Sequence, residues 1–401
     1  MVTEPSAARV DRGGGQRSTG AVTALLTCAM AFSMLQLFLL GALGPRLVDE
    51  LAVSPAVLGL TTTAGFGVAT VLSPVGGRLV DRVGPRRCLA ALLMVSAVAL
   101  ALIGAAGSAG FLVGAVALGG LPQALANPAT NKTVLKVIPA ARRGAVTGMK
   151  QSGVQLGTFA AGLPLTALAG VVGWRWAVWT AAGAAVVTAG WTMSVLPADP
   201  PAGPAAPVWI PRGMVAWLAV FSLLLGCGIA SVNTYLALYG VRRLGLGATA
   251  AGGLVAVLGV AGIVGRVGWS KAAGRLGRAR WLPGVLAVGA TGAALLLALS
   301  VYAHPLAWVA VVGVGVFAVA ANAVSMVLVI QRAAVGRAGQ DSALVSAGFF
   351  AGFALGPPLF GTLAEAGRYG AGWLLVAGEF TGAAAVALMW ALREHRSAAS
   401  R

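Results

Sequence analysis

Polar side chains recur at regular spacing inside stretches of this sequence that are otherwise apolar. Gln123, Asn127 and Asn131 follow one another at four-residue intervals, which places them on one face of a helix. Amides and hydroxyls bind a polar molecule through hydrogen bonds, and an unpaired lysine among them favours an anion such as a carboxylate. This pattern therefore predicts the binding of a small solute. The complete set of candidates is Gln36, Gln123, Asn127, Asn131, Lys132, Lys150, Gln151, Gln155, Asn233, Tyr235, Tyr239 and Asn322.

The same residues have structural interpretations that the sequence alone leaves open. Amides inside apolar helices also form hydrogen bonds from one helix to another. Lys132 and Lys150 either face an interior cavity or extend their ammonium groups to the nearby membrane interface. Tyr235 and Tyr239 either line a cavity or pack against neighbouring helices.

The composition identifies the elements that must carry these side chains. Of the 401 residues, 58% are apolar and 9% are charged, whereas a soluble domain carries about 25% charged residues. Uncharged stretches of roughly 20 residues can cross a membrane as helices, and two stretches are long enough for two helices each. The stretches are 18–45, 51–77, 88–131, 151–174, 176–198, 213–241, 244–265, 281–331, 342–364 and 369–392, the last interrupted by Glu379. The sequence predicts an all-α membrane protein with about twelve transmembrane helices.

The charge distribution predicts how these helices are oriented. The chain carries 28 lysines and arginines against 10 acidic residues, a formal net charge of +18. In a soluble protein this charge would suggest nucleic acid. Here most of the basic residues fall in every second connection, as the positive-inside rule requires, so we expect no nucleic-acid partner. Both termini are placed in the cytoplasm, below a bacterial-type inner membrane. Arg266, just after the stretch 244–265, is assigned to a cytoplasmic connection.

A charged segment bracketed by glycines separates the second and third apolar stretches. From residue 77 to residue 89 it reads Gly-Arg-Leu-Val-Asp-Arg-Val-Gly-Pro-Arg-Arg-Cys-Leu. It resembles the loop between the second and third helices of the major facilitator superfamily, whose pattern is Gly-x-Leu-x-Asp-Arg-x-Gly-Arg-Lys-x-x-Leu. Pro85 departs from that pattern, because the family usually has a basic residue there. The matching residues are Gly77, Leu79, Asp81, Arg82, Gly84, Arg86 and Leu89.

An internal repeat extends this resemblance over nearly the whole chain. Short matches such as Arg82-Val83-Gly84 with Arg275-Leu276-Gly277 recur in the same order and at a nearly constant offset. Two six-helix halves related by a parallel repeat are the plan of that superfamily. A proline-rich segment lies between the halves and cannot continue a helix. The predicted division is a disordered cytoplasmic tail (1–20), an N-terminal bundle (21–196), a cytoplasmic linker (197–213), a C-terminal bundle (214–392) and a second tail (393–401).

The resemblance implies a gate at the cytoplasmic ends of the helices. In this family the acidic residue of the loop pairs with basic groups, and the expected partners of Asp81 are Arg142 and Arg143. The alternative is that Asp81 and the neighbouring arginines only fix the orientation of the chain. The predicted gate consists of Gly77, Asp81, Arg82, Gly84, Arg86, Arg87, Arg142 and Arg143.

Few residues could couple transport to protons. Only Glu379 among the acidic residues lies inside an apolar stretch, and Asp49 and Glu50 follow the first one. These three are the coupling candidates, with loop charges as the alternative for the last two. Proton-driven drug exporters of the superfamily often carry an arginine in the fourth helix, whereas the aligned position here is Val116. Their fifth-helix signature is also incomplete, because no proline follows Gly157.

Other classes of function lack the residues that they require. No nucleophile, carboxylate pair or metal-ligand cluster lies in the apolar stretches, and no phosphate-binding loop is present. We therefore expect no enzyme activity, no cofactor and no metal. The prediction is a monomeric secondary transporter that moves a small polar or anionic organic solute by alternating access, with protons or a counter-anion as coupling ion and lipid around it. The alternative is a proton-driven exporter of an amphipathic drug or metabolite.

Overall fold

The structure is a computed structural model that describes residues 12–199, 213–275, 279–332 and 338–399. Within these ranges every regular element is a helix, and twelve spans are long and apolar enough to cross a membrane. The prediction of a twelve-helix all-α membrane protein is confirmed. In chain order, the first to the twelfth span are Thr19–Ala42, Pro55–Val83, Pro85–Gly104, Ala109–Val137, Ala140–Val172, Trp174–Val195, Met214–Arg242, Ala248–Ala273, Leu282–Leu299, Pro305–Val329, Asp341–Glu365 and Tyr369–Arg396.

Several spans begin where the sequence supplies a helix start. The Ser54 hydroxyl accepts a hydrogen bond from the Val57 amide at the start of the second span. Ser108 caps the fourth span in the same way through the Phe111 amide. Pro55 follows Ser54 at the first helical position, where a missing N–H costs nothing. These local signals fix where the chain re-enters the membrane.

Some spans contain or extend into shorter helical elements. A helix at Gly44–Glu50 follows the first span. The fifth and tenth spans each contain a π-helical segment, at Ala161–Leu165 and Val314–Val319. Two outer helices are longer than predicted: the first begins at Arg12, and the last ends at Ala399. The part of the predicted N-terminal tail from 12 to 20, and the tail from 393 to 399, are therefore helical, while residues 1–11, 400 and 401 lie outside the described residues.

The twelve spans alternate in direction, so the bundle has two ends. We call the end where the first span begins and the twelfth ends the terminal face, and the opposite end the distal face. Asp49, Trp174 and Arg242 meet at the distal face, whereas Arg86, Lys136 and Asp199 meet at the terminal face. Most of the predicted linker, from 200 to 212, lies outside the described residues.

Glycines allow equivalent pairs of spans in the two halves to approach closely. A Cβ at Gly153, in the fifth span, would lie 2.1 Å from the Thr27 carbonyl oxygen of the first span. In the second half, a Cβ at Gly348 in the eleventh span would lie 2.5 Å from the Ala219 carbonyl oxygen of the seventh. Because a Cβ essentially never lies so close to backbone, only glycine fits at these crossings. Gly153 and Gly348 thus serve helix packing.

Three pairs of spans make the most extensive contacts between the two halves: the second with the eleventh, the fifth with the eighth, and the first with the seventh. The first–seventh crossing is tight, because a Cβ at Gly41 would lie 2.0 Å from the Asn233 carbonyl oxygen. Gly259 of the eighth span packs in the same manner on the backbone of Phe159 in the fifth. The ends of these pairs position the candidate site.

Candidate functional site

The two halves are joined by hydrogen bonds in the part of the membrane nearest the distal face. The Tyr235 hydroxyl lies 2.7 Å from the Pro55 carbonyl oxygen of the other half and 3.0 Å from that of Pro357. The Thr63 hydroxyl donates to the Ala354 carbonyl oxygen across the halves at 2.7 Å. These bonds, between buried and partly buried groups, hold the distal side closed.

One of these acceptors, the Ala354 carbonyl of the eleventh span, is free because a proline interrupts the backbone bonding of the helix. Pro358 has no N–H, so the carbonyl of Ala354, four residues earlier, lacks its usual helical donor. Thr63 of the second span provides a donor in its place. The closed distal side therefore depends on a contact that exists because the helix itself cannot satisfy that carbonyl.

Ion pairs add to this closure at the distal surface. Asp49 of the first half lies 3.5 Å from the Arg242 guanidinium of the second half. Glu50 accepts a hydrogen bond from the Trp174 indole at 2.6 Å and pairs with Arg175. The coupling candidates Asp49 and Glu50 thus lie in exposed ion pairs at the ends of the spans. Glu379, the third candidate, lies inside the twelfth span, where its Oε2 is buried without a hydrogen-bond partner among the described residues.

On the terminal side of the membrane centre, one hydrogen bond between the halves is recorded in the described residues. Arg266 of the eighth span donates from Nη1 to the Gln151 carbonyl oxygen of the fifth, at 3.4 Å. Gln151 in turn donates from its side-chain amide to Asn127 Oδ1 of the fourth span, at 3.0 Å. Arginine, glutamine and asparagine thus form one polar chain that crosses the boundary between the halves, and all three side chains are partly exposed.

Arg266 is a site residue that the sequence analysis placed wrongly. The eighth span runs on to Ala273, so Arg266 lies about 10 Å inside its terminal end. It belongs to the helix face on which Gly259 and Gly262 pack closely against the fifth span, and it follows Gly262 by one turn. A signal was present in the sequence, because helical residues continue past this single charge.

The Arg266 guanidinium has little of its hydrogen-bonding capacity used. Its Nε is buried and has no partner among the described residues, and it takes part in none of the ion pairs recorded there. Guanidinium groups bind carboxylates and similar oxyanions through two parallel N–H bonds. A cation of this kind at the boundary between the two halves is suited to hold an anion.

Lys150, which we expected either to face a cavity or to reach the interface, does neither. Its side chain is 0% exposed, and its Nζ donates to the Thr130 hydroxyl oxygen of the fourth span at 2.7 Å. The Thr130 hydroxyl in turn donates a hydrogen bond to the Ala126 carbonyl oxygen. Lys150 is therefore enclosed within the first half, between the first, fourth and fifth spans, because the rotation of the fifth span turns it away from the second half.

Replacing Lys150 with methionine is expected to leave anion affinity within about twofold and to maintain or raise thermal stability. A buried amine with one partner is costly, and an apolar side chain of similar length removes that cost. Lys150→Ala should instead lower the melting temperature, because it leaves a cavity. Melting temperatures in detergent and anion-binding titrations of both variants test this. A loss of binding in Lys150→Met would place the amine in the anion site.

The charged segment from Gly77 to Leu89, which the resemblance implies is a loop, is helical on both sides of Gly84, and it pairs differently from our prediction. Asp81 forms a salt bridge of 2.6 Å with Lys132 of the fourth span, and not with Arg142 or Arg143. Arg143 instead donates to the Ile138 and Leu135 carbonyls at the end of the fourth span. Lys132, a candidate for the substrate site, is therefore bound to the loop. Lys132 reaches Asp81 because it lies about one turn inside the terminal end of the fourth span, whereas Arg142 and Arg143 lie beyond that end.

A residue of the predicted linker completes this loop. The Asp199 carboxylate accepts hydrogen bonds from the Arg86 and Arg87 backbone amides, at 3.1 and 2.9 Å. These amides belong to the first turn of the third span, where free N–H groups and the helix dipole favour a negative charge. Lys136 holds the adjacent Ala198 carbonyl at 3.1 Å. The contact of Asp199 with these amides was not predictable from sequence, because a proline-rich composition shows only that a helix ends.

Two glycines of this loop are expected to respond differently to alanine. Gly84 has a φ of +97°, and a Cβ there would lie 2.2 Å from Asp199 Cγ, whereas a Cβ at Gly77 would have no atom within 4 Å. Gly84→Ala should therefore cost about 1–3 kcal/mol from backbone strain alone, and Gly77→Ala should leave stability unchanged or raise it. Melting temperatures of the two variants check this, and equal effects would contradict the assigned geometry.

The remaining candidates lie in several environments. Tyr239 donates to or accepts from Ser300 at 2.8 Å and packs edge-on against Trp373, so both tyrosines pack rather than line an opening. Gln155 is buried against Gly262 of the other half. The others are placed as follows: Asn131 is partly exposed next to the loop, Asn233 and Asn322 are each 7% exposed in the seventh and tenth spans, and Gln36 and Gln123 are buried between the first and fourth spans.

Comparison with known families decides what class of protein carries this site. The family model described as Major Facilitator Superfamily matches residues 26–344. The chain belongs to this superfamily. Members of the major facilitator superfamily are secondary transporters, so the chain is a multi-pass membrane transporter, and the resemblance seen in its charged loop is confirmed.

Two curated relatives match parts of this major facilitator protein. One, from Mycobacterium tuberculosis, is named "Uncharacterized MFS-type transporter Rv1250" and is 30% identical over 132 residues, covering 33% of this chain and 23% of the relative. The other, from Cupriavidus necator, is named "Probable sulfoacetate transporter SauU" and is 29% identical over 149 residues, covering 37% of this chain and 34% of the relative. The matches thus span a quarter to a third of the relatives' length.

Solved structures resemble the fold over nearly its full length. A bacterial homologue of the human lysosomal transporter Spinster, in an inward-facing and unoccupied conformation, aligns with a TM-score of 0.73, covering 94% of this chain and 97% of that chain. The occupied inward-facing form aligns with a TM-score of 0.74, covering 92% and 96%. At 16% identity, these similarities establish the fold alone.

Proposed function

We propose that this major facilitator protein transports small organic anions of the carboxylate or sulfonate type by alternating access. The observation that carries the proposal is Arg266, a guanidinium inside the membrane whose one recorded bond is long and whose Nε is buried without a partner among the described residues. A charge inside a membrane span is retained at a cost, so it indicates function when no acidic side chain among the described residues neutralises it.

The surroundings of Arg266 also favour a polar anion. The guanidinium contacts the Gln151 backbone carbonyl, and the Gln151 side-chain amide contacts Asn127; both amide side chains are partly exposed. Amides provide hydrogen bonds to oxygen atoms that the guanidinium leaves free. Because Arg266 belongs to the second half and the two amides to the first, an anion bound here contacts both halves. This arrangement links binding to the movement of one half against the other.

Similarity to a relative supports the same class of solute. The Cupriavidus necator relative is named a probable sulfoacetate transporter, and sulfoacetate carries a sulfonate and a carboxylate. The partial match does not carry the substrate over, but the chemistry agrees with a site built around one guanidinium. The proposed substrate class is therefore argued from Arg266, with the relative as supporting evidence.

We further propose that the terminal face is cytoplasmic and that the protein lies in an inner membrane. Most of the basic residues in the connections fall at this face. With the distal side closed by Tyr235, Thr63 and the Asp49–Arg242 pair, the structure then represents an inward-facing state.

Transport by the purified protein in reconstituted vesicles tests the proposal. The assay compares labelled sulfoacetate and short carboxylates with a lipophilic cation, each with and without an imposed pH gradient. Saturable anion flux that other carboxylates and sulfonates inhibit is the expected result. Flux of the lipophilic cation alone, lost when the pH gradient is removed, would overturn it in favour of a proton-driven exporter.

A further inference from the structure

Two glutamines deep in the first half have unused hydrogen-bonding atoms. Gln123 of the fourth span is 2% exposed, and neither its Nε2 nor its Oε1 has a hydrogen-bond partner among the described residues. Leaving a buried donor or acceptor unpaired costs about 1–3 kcal/mol per group. An amide held in this way lowers stability, so its presence calls for a partner that is not part of the chain.

Gln36 of the first span contacts the face of the fourth span on which Gln123 lies. It is 0% exposed, and its Nε2 donates to the carbonyl of Gly119, one turn before Gln123. A Cβ at Gly119 would lie 2.0 Å from that nitrogen, so glycine makes the space that the Gln36 amide occupies. Gln36 Oε1 is buried and unpaired among the described residues. The two amides thus present two free acceptors and one free donor group.

These amides continue the polar chain that begins at Arg266. Gln123 and Asn127 are four residues apart on one helix face, so Gln123 lies about 6 Å deeper along the fourth span. Asn127 contacts Gln151, and Gln151 contacts Arg266. Exposure falls along this path from the partly exposed Asn127 to Gln123 at 2%. Gln123 and Gln36 are thus the next unpaired polar groups along the fourth span beyond Asn127.

We propose that Gln36 and Gln123 bind a hydroxyl group of the transported anion, so that the substrate is a short-chain hydroxylated carboxylate or sulfonate. This inference rests on the proposed transport of organic anions. A hydroxyl both donates and accepts, so it satisfies a glutamine oxygen and the Gln123 Nε2 together. A methyl group at this position can do neither, so it would leave all three buried atoms unpaired.

Matched pairs of ligands test this selection. The probes are 2-hydroxyethanesulfonate against propane-1-sulfonate, and 3-hydroxypropane-1-sulfonate against butane-1-sulfonate, in which a methyl group replaces the hydroxyl. The intact protein should bind at least one hydroxylated probe about tenfold more tightly than its methyl counterpart, because the methyl group leaves the amides unpaired. Gln123→Leu should reduce that ratio to about twofold or less.

A measurement without ligand provides an independent readout. Gln123→Leu removes an unpaired amide and should raise the melting temperature by about 2 °C. Gln155→Leu is the matched control, because Gln155 is equally buried in the neighbouring fifth span but its Oε1 accepts from Thr158 at 3.1 Å. Its substitution should lower the melting temperature.

The possible outcomes separate this inference from the proposed function. Equal binding of hydroxyl and methyl probes by the intact protein would overturn the inference and would indicate a fixed water at the amides, while anion transport would stand. A fall in melting temperature for Gln123→Leu, like that of Gln155→Leu, would show a structural partner and also overturn it. Failure of every sulfonate and carboxylate to bind would reject the anion proposal, and this inference with it.

Discussion

Replacing Arg266 with glutamine is expected to lower affinity for organic anions about 100-fold while the protein still folds. An arginine bound to an oxyanion makes two charge-assisted hydrogen bonds, each contributing about 1.5–3 kcal/mol, and about 3 kcal/mol corresponds to a factor of about 100. Folding should persist because the guanidinium makes one bond of 3.4 Å within the protein. Arg266→Lys should be intermediate, since an ammonium group keeps the charge without the two parallel donors.

Lys271→Gln is the matched control for this substitution. Lys271 is an exposed cation on the same span, five residues nearer the terminal face, so its replacement changes the net charge equally. Titrations of anion binding should show a change of about twofold or less in this variant. Similar losses in both variants would mean that net charge near the membrane surface, rather than a bound guanidinium, attracts the anion.

Replacing Thr63 with valine is expected to shift the protein about tenfold towards a state in which the distal side is open. Valine has the shape of threonine but cannot donate to the Ala354 carbonyl, which Pro358 deprives of its helical donor. A buried carbonyl without a donor costs about 1–3 kcal/mol. In an open state water reaches the carbonyl, so the cost falls on the closed state alone, and the population follows that difference.

Spin labels on the distal face can measure this shift. Gly107 and Gly247 lie in distal connections of the two halves, and a Cβ at either position meets no atom within 4 Å. Labels on cysteines at these positions, with the three native cysteines replaced, should show a longer distance population in Thr63→Val. Thr61→Val is the control, because the buried Thr61 hydroxyl donates to Leu58 in its own helix. An unchanged distribution in Thr63→Val, or the same shift in both variants, would contradict the assigned role.

The spans and the family were predictable from sequence because both depend on local patterns. Long uncharged stretches define membrane helices without knowledge of their neighbours, and the loop from Gly77 to Leu89 carries its pattern in consecutive residues. The same dependence on local pattern explains the error at Arg266. Ending a span at its first charge is correct when the charge lies at the surface, and wrong when another half of the protein covers it.

The partners of the polar residues were not predictable, because they depend on helix rotation and on contacts distant in sequence. Lys150 and Gln151 are neighbours in sequence, yet one is enclosed in the first half and the other contacts Arg266. The choice of Lys132 as partner for Asp81 depends on how the second and fourth spans cross. Sequence spacing gives the face of a helix that a residue shares, but the direction of that face is set by packing.

The docking of Asp199 determines where this chain could be divided into two co-expressed fragments. The helix of the sixth span ends at Val195, which suggests a cut there. However, Asp199 and the Ala198 carbonyl bind Arg86, Arg87 and Lys136, all of which belong to the first half. A first fragment that stops at Val195 would leave the amides of the third span without their acceptor. One that runs through Asp199 carries its own cap, so reassembly from two polypeptides should succeed only with the longer fragment.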